Sequence, residues 1–424
     1  MSPTEPSGGA ARAGSAQPVL MTALGLALAA AVSLGVARFA YALLLPPMRA
    51  DLGWSYLVAG TMNTVNAAGY LAGALLMPAL LRSLDARRLM LWGGLAAALL
   101  LALHGAVRGD AALMALRAAS GVASAASFIA GGLLAARLAS HAPMRAGQVL
   151  GIYYGGTGLG IVAAAAAVPP LVAQPAAGWP WAWLVLGLLS ALATACTAWI
   201  TASGRRDLQG PAAVRALPLA PAASASISGP GEPTLAALLL GFRWGLAGYF
   251  MFGLGYIGYM TFIVSLLRQQ GLGDATVTLF YAVLGCGVMA SSFVWAGLLQ
   301  RHRGGRPLAT FNALLAVATV MPLLSPSLPV VFASGVLFGG VFLSAVAATT
   351  ALVRHNVQPA LWPTGIAAFT IMFAAGQIVG PGLAGAIADR AGGLHLALAC
   401  SAAALLLGSL LAAMQRPWAQ ARTG

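Results

Sequence analysis

The 424-residue sequence contains no lysine, so each of its 22 cationic side chains is an arginine. That absence removes whole chemistries. A Walker A phosphate loop needs its lysine on the phosphates, and a Schiff-base catalyst needs one as nucleophile, so neither ATP-driven work nor imine chemistry is expected. Acid is equally scarce, with eight Asp and Glu residues spread over loops and tails. No paired carboxylates and no His–acid set stand together, which argues against an enzyme. Cys196, Cys286 and Cys400 are scattered, and the five histidines show no metal spacing. No cofactor and no metal are expected.

Charged residues make up only 7% of the chain and hydrophobic ones 60%. A soluble domain carries about 25% charge because its surface must be hydrated, so this chain requires lipid as its outer solvent. The lipid bilayer is thus its first partner, and the net charge of +14 reports topology rather than nucleic acid. A helix needs about 20 apolar residues to cross the hydrocarbon core. Runs of that size recur at 19–45, 55–80, 89–107, 111–136, 148–172, 179–201, 238–266, 275–299, 308–325, 328–352, 364–388 and 394–413. The pattern predicts an all-α integral membrane protein with twelve transmembrane helices in two pseudo-symmetric six-helix bundles.

A Pro/Ala/Ser/Gly-rich stretch over 202–235 divides the runs six and six and reads as a flexible linker. The expected organisation is a disordered tail 1–17, bundles 18–201 and 236–414, and a short tail 415–424. The first run lacks a basic leader and is followed by many more, so it is a membrane helix and not a cleaved signal. Fifteen arginines fall on the side of both termini, four on the other (Arg49, Arg108, Arg268, Arg390) and three within the runs. Cationic loops are retained in the cytoplasm, which places both termini there. The halves echo each other at a spacing of about 220 residues, the sign of an internal repeat. Arg82, Arg87 and Arg88 match Arg301, Arg303 and Arg306, Gly156 and Gly160 match Gly376 and Gly380, and Tyr41 falls near Tyr259.

Charge inside the hydrocarbon is costly, so each buried arginine is a candidate functional residue. Arg38 and Arg117 lie seven residues from the outer ends of their runs, roughly 10 Å deep at 1.5 Å per residue. No acid occurs in any run to pair with them. Two readings stand: a cavity-facing guanidinium fork for an anionic, carboxylate-bearing solute, or a structural group bonded to helix carbonyls, tyrosines or water. Arg243, at the start of the seventh run, is expected to snorkel to the interface.

Asn63, Asn66 and Tyr70 share one helical face, as substrate ligands or as interhelical polar contacts. Tyr41, Tyr153, Tyr154, Thr157, Tyr256, Tyr259 and Gln377 complete the candidate substrate ligands. Gly151, Gly155, Gly156, Gly160, Gly376, Gly380 and Pro381 are expected at helix packing or gating positions. His104 is expected at a surface or capping position, or as a proton relay.

Several local patterns resemble the major facilitator superfamily over residues 18–414. Arg117-Ala-Ala-Ser-Gly121 resembles its fourth-helix Arg-x-x-x-Gly motif. Gly151 to Gly160, G-I-Y-Y-G-G-T-G-L-G, is similar to the Gly-rich fifth helix of proton-driven antiporters without the usual Gly-Pro pair, which recurs instead in G-Q-I-V-G-P-G-L-A-G from Gly376. G-V-A-R-F-A-Y-A-L-L-L-P-P-M from Gly35 to Met48 is similar to the first helix of the YbfB/YjiJ branch of bacterial permeases. The loop R-S-L-D-A-R-R after the second run departs from the superfamily's fuller signature, with Asp85 as its acid and Arg87 and Arg88 as its bases.

The resemblance implies a secondary transporter of the bacterial inner membrane. It would work by alternating access as a monomer on a small-molecule substrate, without ATP or nucleic acid. A small organic anion is the leading cargo. Hydrophobic drug efflux, a membrane-embedded enzyme and a non-transporting sensor remain as alternatives. A C-terminal fluorescent-protein fusion should mature while an alkaline phosphatase fusion at the same site stays inactive; the reverse pattern would put the termini outside.

Overall fold

The computed structural model describes residues 16–174, 178–204, 208, 235–390 and 392–418. Most of the tail 1–17 and of the linker 202–235, with Arg12, Arg205, Arg206, Arg215 and Arg422, lies outside the described residues. Among the described residues there is no strand, and twelve helices are long and apolar enough to cross a membrane. They are α1 (Pro18–Leu52), α2 (Tyr56–Ser83), α3 (Ala86–His104), α4 (Asp110–His141), α5 (Pro143–Val172) and α6 (Gly178–Ala202), then α7 (Arg243–Gln269), α8 (Asp274–Arg301), α9 (Arg306–Leu324), α10 (Leu328–Asn356), α11 (Pro359–Ala388) and α12 (Gly393–Ala413). The twelve predicted runs correspond to them one by one. Helix extends beyond the apolar count where polar ends continue the winding. Thus α1 passes through Pro46 and Pro47 and stops only where Gly53 takes a left-handed φ of 67° and caps it.

Ala31–Phe39 of α1 is wound as a π-helix, and every residue of it is buried. The wider turn displaces amides from their usual i−4 acceptors. Leu43 N–H donates to Ala40 O at 3.0 Å, which releases the Phe39 carbonyl. The Tyr281 hydroxyl on α8 donates to that carbonyl at 2.6 Å.

The helices of the first half pack in a pattern that the second half repeats: α1 on α5 as α7 on α11, α2 on α4 as α8 on α10, α3 on α6 as α9 on α12. Glycine makes the repeat physical. A Cβ on Gly156 or Gly160 would stand 2.0 or 2.3 Å from the carbonyls of Ala27 and Ala31 on α1. One on Gly376 or Gly380 would stand 2.4 or 2.6 Å from those of Phe250 and Leu254 on α7. Contacts that close are open only to a residue without a side chain, so helix backbones touch directly there.

The halves meet along α2 with α11 and along α5 with α8. Gly60 abuts the Pro381 carbonyl, and Gly385 abuts that of Tyr56, on the side away from the termini, here called distal. Toward the termini side the backbones part. A Cβ on Gly158 would meet Gly285 O at 2.3 Å, whereas at Gly155 the Met289 backbone stands 3.6 Å off and at Gly151 only the Phe293 ring comes near. Exchanging Gly160 or Gly380 for Val should cost roughly 1–3 kcal/mol by overpacking, read as a lower melting temperature in detergent. Gly147, with open space around it, should tolerate Ala unchanged.

Candidate functional site

Arg117 reaches from α4 to α1 and α2, and each of its three guanidinium nitrogens has a partner. It donates to Ala37 O at 3.0 Å, to Asn63 Oδ1 at 2.7 Å and to Met62 O at 3.4 Å, and it lies 4.6 Å from the centroid of the Tyr41 ring. Only 1% of the residue is exposed. The two arginines do share a depth, since Ala37 is the neighbour of Arg38, but their roles differ. Arg117 is a correction to the expectation of a cavity-facing anion ligand: with no carboxylate nearby, its donors are spent on carbonyl and amide oxygens.

The network continues across the halves. Because Arg117 fixes Oδ1 of Asn63, the amide nitrogen turns outward and donates to Thr261 Oγ1 on α7 at 2.8 Å. Asn66 donates to Arg117 O and Ser120 Oγ at 2.9 and 3.1 Å, as an interhelical contact. Tyr41 donates to Ala59 O, and Tyr259 pairs with Ser334 while stacking on Phe338 at 4.0 Å. Tyr153 is fully buried against Gly131 and Gly132 with its hydroxyl on Phe128 O. Thr157 is fully buried, and its carbonyl faces Gly35 of the π segment. Asn66, Tyr41, Tyr259 and Tyr153 hold helices together through these bonds, and Thr157 packs through its backbone while its Oγ1 is buried without a partner among the described residues.

Arg38, at the end of the π segment, is otherwise placed. Its Nη2 donates to Gln377 Oε1 of α11, and the guanidinium carbon lies 5.8 Å from the Tyr70 ring and 6.0 Å from that of Phe39. Nε and Nη1 have no hydrogen-bond partner among the described residues and are not sealed from solvent, although the residue is only 6% exposed. Tyr70 and Tyr256 are within electrostatic range of it, and Tyr154, 41% exposed, is within range of Tyr70 and of Arg354 on α10. The hydroxyls of Tyr70, Tyr154 and Tyr256 likewise have no partner among the described residues. Arg38, Gln377, Tyr70, Tyr154 and Tyr256 therefore form one polar cluster near mid-membrane that opens toward the termini side.

Behind the cluster stands an aromatic wall of which sequence reasoning found only Tyr256. Tyr249, Phe252 and Tyr256 on α7 stack with Phe373 on α11 at centroid separations of 4.8–5.6 Å and interplanar angles of 11–18°. The signal was present as spacing, since 249, 252 and 256 recur at helical intervals and 373 precedes Gln377 by four.

The distal side is sealed around Tyr56, another residue that sequence reasoning passed over. Asp389, just past α11, accepts from the amides of Tyr56 and Leu57 at 2.7 and 2.8 Å, and so caps α2 from the other half. Gln269 of α7 donates to the Tyr56 hydroxyl at 2.6 Å, and the Arg49 guanidinium sits 3.9 Å over its ring. Among the described residues the hydrogen bonds that join the halves all arise at or distal to Arg38, and none forms on the termini side. The loop after α2 illustrates this: Asp85 caps α3 by accepting from Arg88 N, Arg87 binds Thr201 and Ala198 of α6, and Arg88 is exposed. His104 corrects its expected surface position: it is buried and stacked on Trp183 at 4.6 Å, with Nδ1 on Leu100 O. Arg243 begins α7 with its guanidinium 5.5 Å from the Trp244 ring.

Twelve membrane helices in two repeated halves around a polar mid-membrane cluster define a transporter of the major facilitator superfamily. The chain belongs to the family described as the uncharacterised MFS-type transporter YbfB, whose model matches residues 30–413. No curated protein matches it by sequence. Among solved structures it is similar to a bacterial homolog of the human lysosomal transporter Spinster in an inward-facing, unoccupied conformation, at 13% identity over 94% of this chain and 95% of that one, TM-score 0.64. It is also similar to the nucleoside transporter NupG, at 14% identity over 94% and 98%, TM-score 0.65. A third is the human organic anion transporter MFSD10, at 18% over 93% and 98%, TM-score 0.60. At such identities the likeness carries the fold, and the protein is a multi-pass membrane transporter and not an enzyme.

Two outcomes follow from the geometry. Arg117→Leu strips donors from buried oxygens and should cost on the order of 3 kcal/mol, seen as a fall in melting temperature, while Arg38→Gln should change it little. Burial pushes the Asp389 carboxyl up, but the Leu57 and Tyr56 amides, the Ser55 hydroxyl and Arg49 outweigh it and hold the group below the ordinary aspartate range. The distal seal is therefore favoured above the ordinary value of roughly 4 and lost as pH falls through the depressed one. Spin labels at the exposed positions Ala50 and Arg390 should separate on acidification in the wild type and already stand apart at neutral pH in Asp389→Asn.

Proposed function

We propose that the protein is a secondary transporter that carries a small organic anion by alternating access, with Arg38 as the charge that receives it. The observation behind this reading is the contrast between two buried guanidiniums. Every nitrogen of Arg117 is bonded to the protein, whereas among the described residues two nitrogens of Arg38 and three nearby tyrosine hydroxyls have no partner. A buried cation with no acid in its span is costly without a counter-charge, and the cargo supplies one. Guanidinium binds carboxylate with a planar fork of donors, which suits it to this task.

The halves 18–201 and 236–414 rock about the α2–α11 and α5–α8 contacts, joined by the linker 202–235. The glycine contacts supply thin, smooth surfaces for that motion. The arginine bias supports cytoplasmic termini, an inner-membrane location and hence a cavity open to the cytoplasm in this structure. Within the halves Gly156, Gly160, Gly376, Gly380 and Pro381 serve packing, while Asp85 caps α3 and Arg87 ties α3 to α6 beside the exposed Arg88. A monomer suffices for this cycle.

A second reading, hydrophobic drug efflux, is favoured by the aromatic wall of α7 and α11 and makes Arg38 a structural residue. Thermal stability in detergent separates the two, because a ligand that binds the folded state raises its melting temperature. Small carboxylates should raise it in the wild type and fail to do so in Arg38→Gln. Stabilisation by hydrophobic cations alone, equal in both proteins, would give the site to efflux.

A further inference from the structure

We infer that the cargo is a planar monocarboxylate, a carboxylate borne on an aromatic or similarly flat conjugated body; this rests on the organic-anion reading of the same site. The number of charges comes first. Among the described residues Arg38 is the one mid-span guanidinium with unbonded nitrogens, since every nitrogen of the 1%-exposed Arg117 donates to Ala37, Asn63 or Met62. One open cation balances one negative charge, and a second carboxylate would enter the span without a partner.

The headgroup contacts come next. A guanidinium can only donate, so Gln377 must present Oε1 to Arg38, and its Nε2 is thereby turned away as a free donor. Nε2 has no partner among the described residues. Arg38 and Gln377 together thus offer N–H groups from two helices, α1 and α11, to the two oxygens of one carboxylate.

The shape of the body follows from the wall beside them. Phe373 lies four residues before Gln377 on α11, hence on the same helical face and about one turn, roughly 5.4 Å, away. Its ring lies alongside the near-parallel rings of Tyr249, Phe252 and Tyr256, 5.0–5.6 Å from each and within 18° of their planes. Those three are at most 3% exposed, whereas Phe373 is half-buried. The most exposed ring of this aromatic group therefore stands one turn from the carboxylate donors. A flat ring attached directly to the carboxylate reaches it, while a saturated ring of similar size cannot stack against a planar column. The Tyr70 and Tyr256 hydroxyls, both without a partner among the described residues, flank the same space and can bond a polar substituent.

Binding of benzoate, cyclohexanecarboxylate and the uncharged benzamide to the full-length protein in detergent, measured by calorimetry, tests the inference. Benzoate should bind about five- to tenfold more tightly than cyclohexanecarboxylate, the range stacking provides, with benzamide weaker than both. Phe373→Leu should bring the two acids within about twofold, and Phe373→Tyr should restore the preference. Should Phe373→Leu fail to fold, the wild-type ratio and the Tyr variant decide. Equal binding of the two acids, lost in Arg38→Gln, overturns the planar class and leaves the anion reading standing. Carboxylate binding that is absent, or indifferent to Arg38→Gln, overturns both.

Discussion

A guanidinium held in the middle of a bilayer without a carboxylate is the constraint around which the first half is arranged. Arg117 must find oxygen, and at its depth oxygen belongs to helix backbones and amides. The π segment of α1 brings the Ala37 carbonyl within reach, and Asn63 supplies the second acceptor. This joins α1, α2 and α4 at one point. It also orients Asn63 toward Thr261, so that a charge buried for one half becomes a strut against the other.

The same segment sets Arg38 apart. The π winding releases the Phe39 carbonyl to Tyr281 and delivers the preceding side chain, Arg38, to α11 rather than into its own bundle. Two arginines at one depth thus reach opposite states of satisfaction. The difference is local geometry, since residue type and depth are common to both. On the distal side, polar groups do what glycines do deeper down. Asp389 and Gln269 hold Tyr56 where water is near and an ion costs little, while Gly385 beside them and Gly60 one turn further along α2 bring α2 and α11 to contact without any charge.

Much of this fold is legible in the amino acids because the bilayer simplifies the physics. Backbone groups in lipid must bond internally, so a long apolar run is a helix, and twelve runs became twelve helices. The repeat was legible because glycine spacing records where backbones touch: Gly156 and Gly160 against α1, Gly376 and Gly380 against α7. The site was legible only in part. Intramembrane Arg, Tyr, Asn and Gln mark themselves by their cost, and Arg38, Tyr70, Tyr154, Tyr256 and Gln377 do come together. Phe373 carries no such cost, and Asp389 and Tyr56 sit at helix ends where polar residues are ordinary.

By itself, then, the sequence determined the solvent, the helices, the twofold repeat and the short set of polar residues that lipid would not tolerate without a reason. Only the tertiary structure decided which of those residues are spent on the protein and which remain open. Satisfaction is a property of pairs: whether a guanidinium has donors left depends on carbonyls and amides that other helices bring, and these lie up to 339 residues away along the chain.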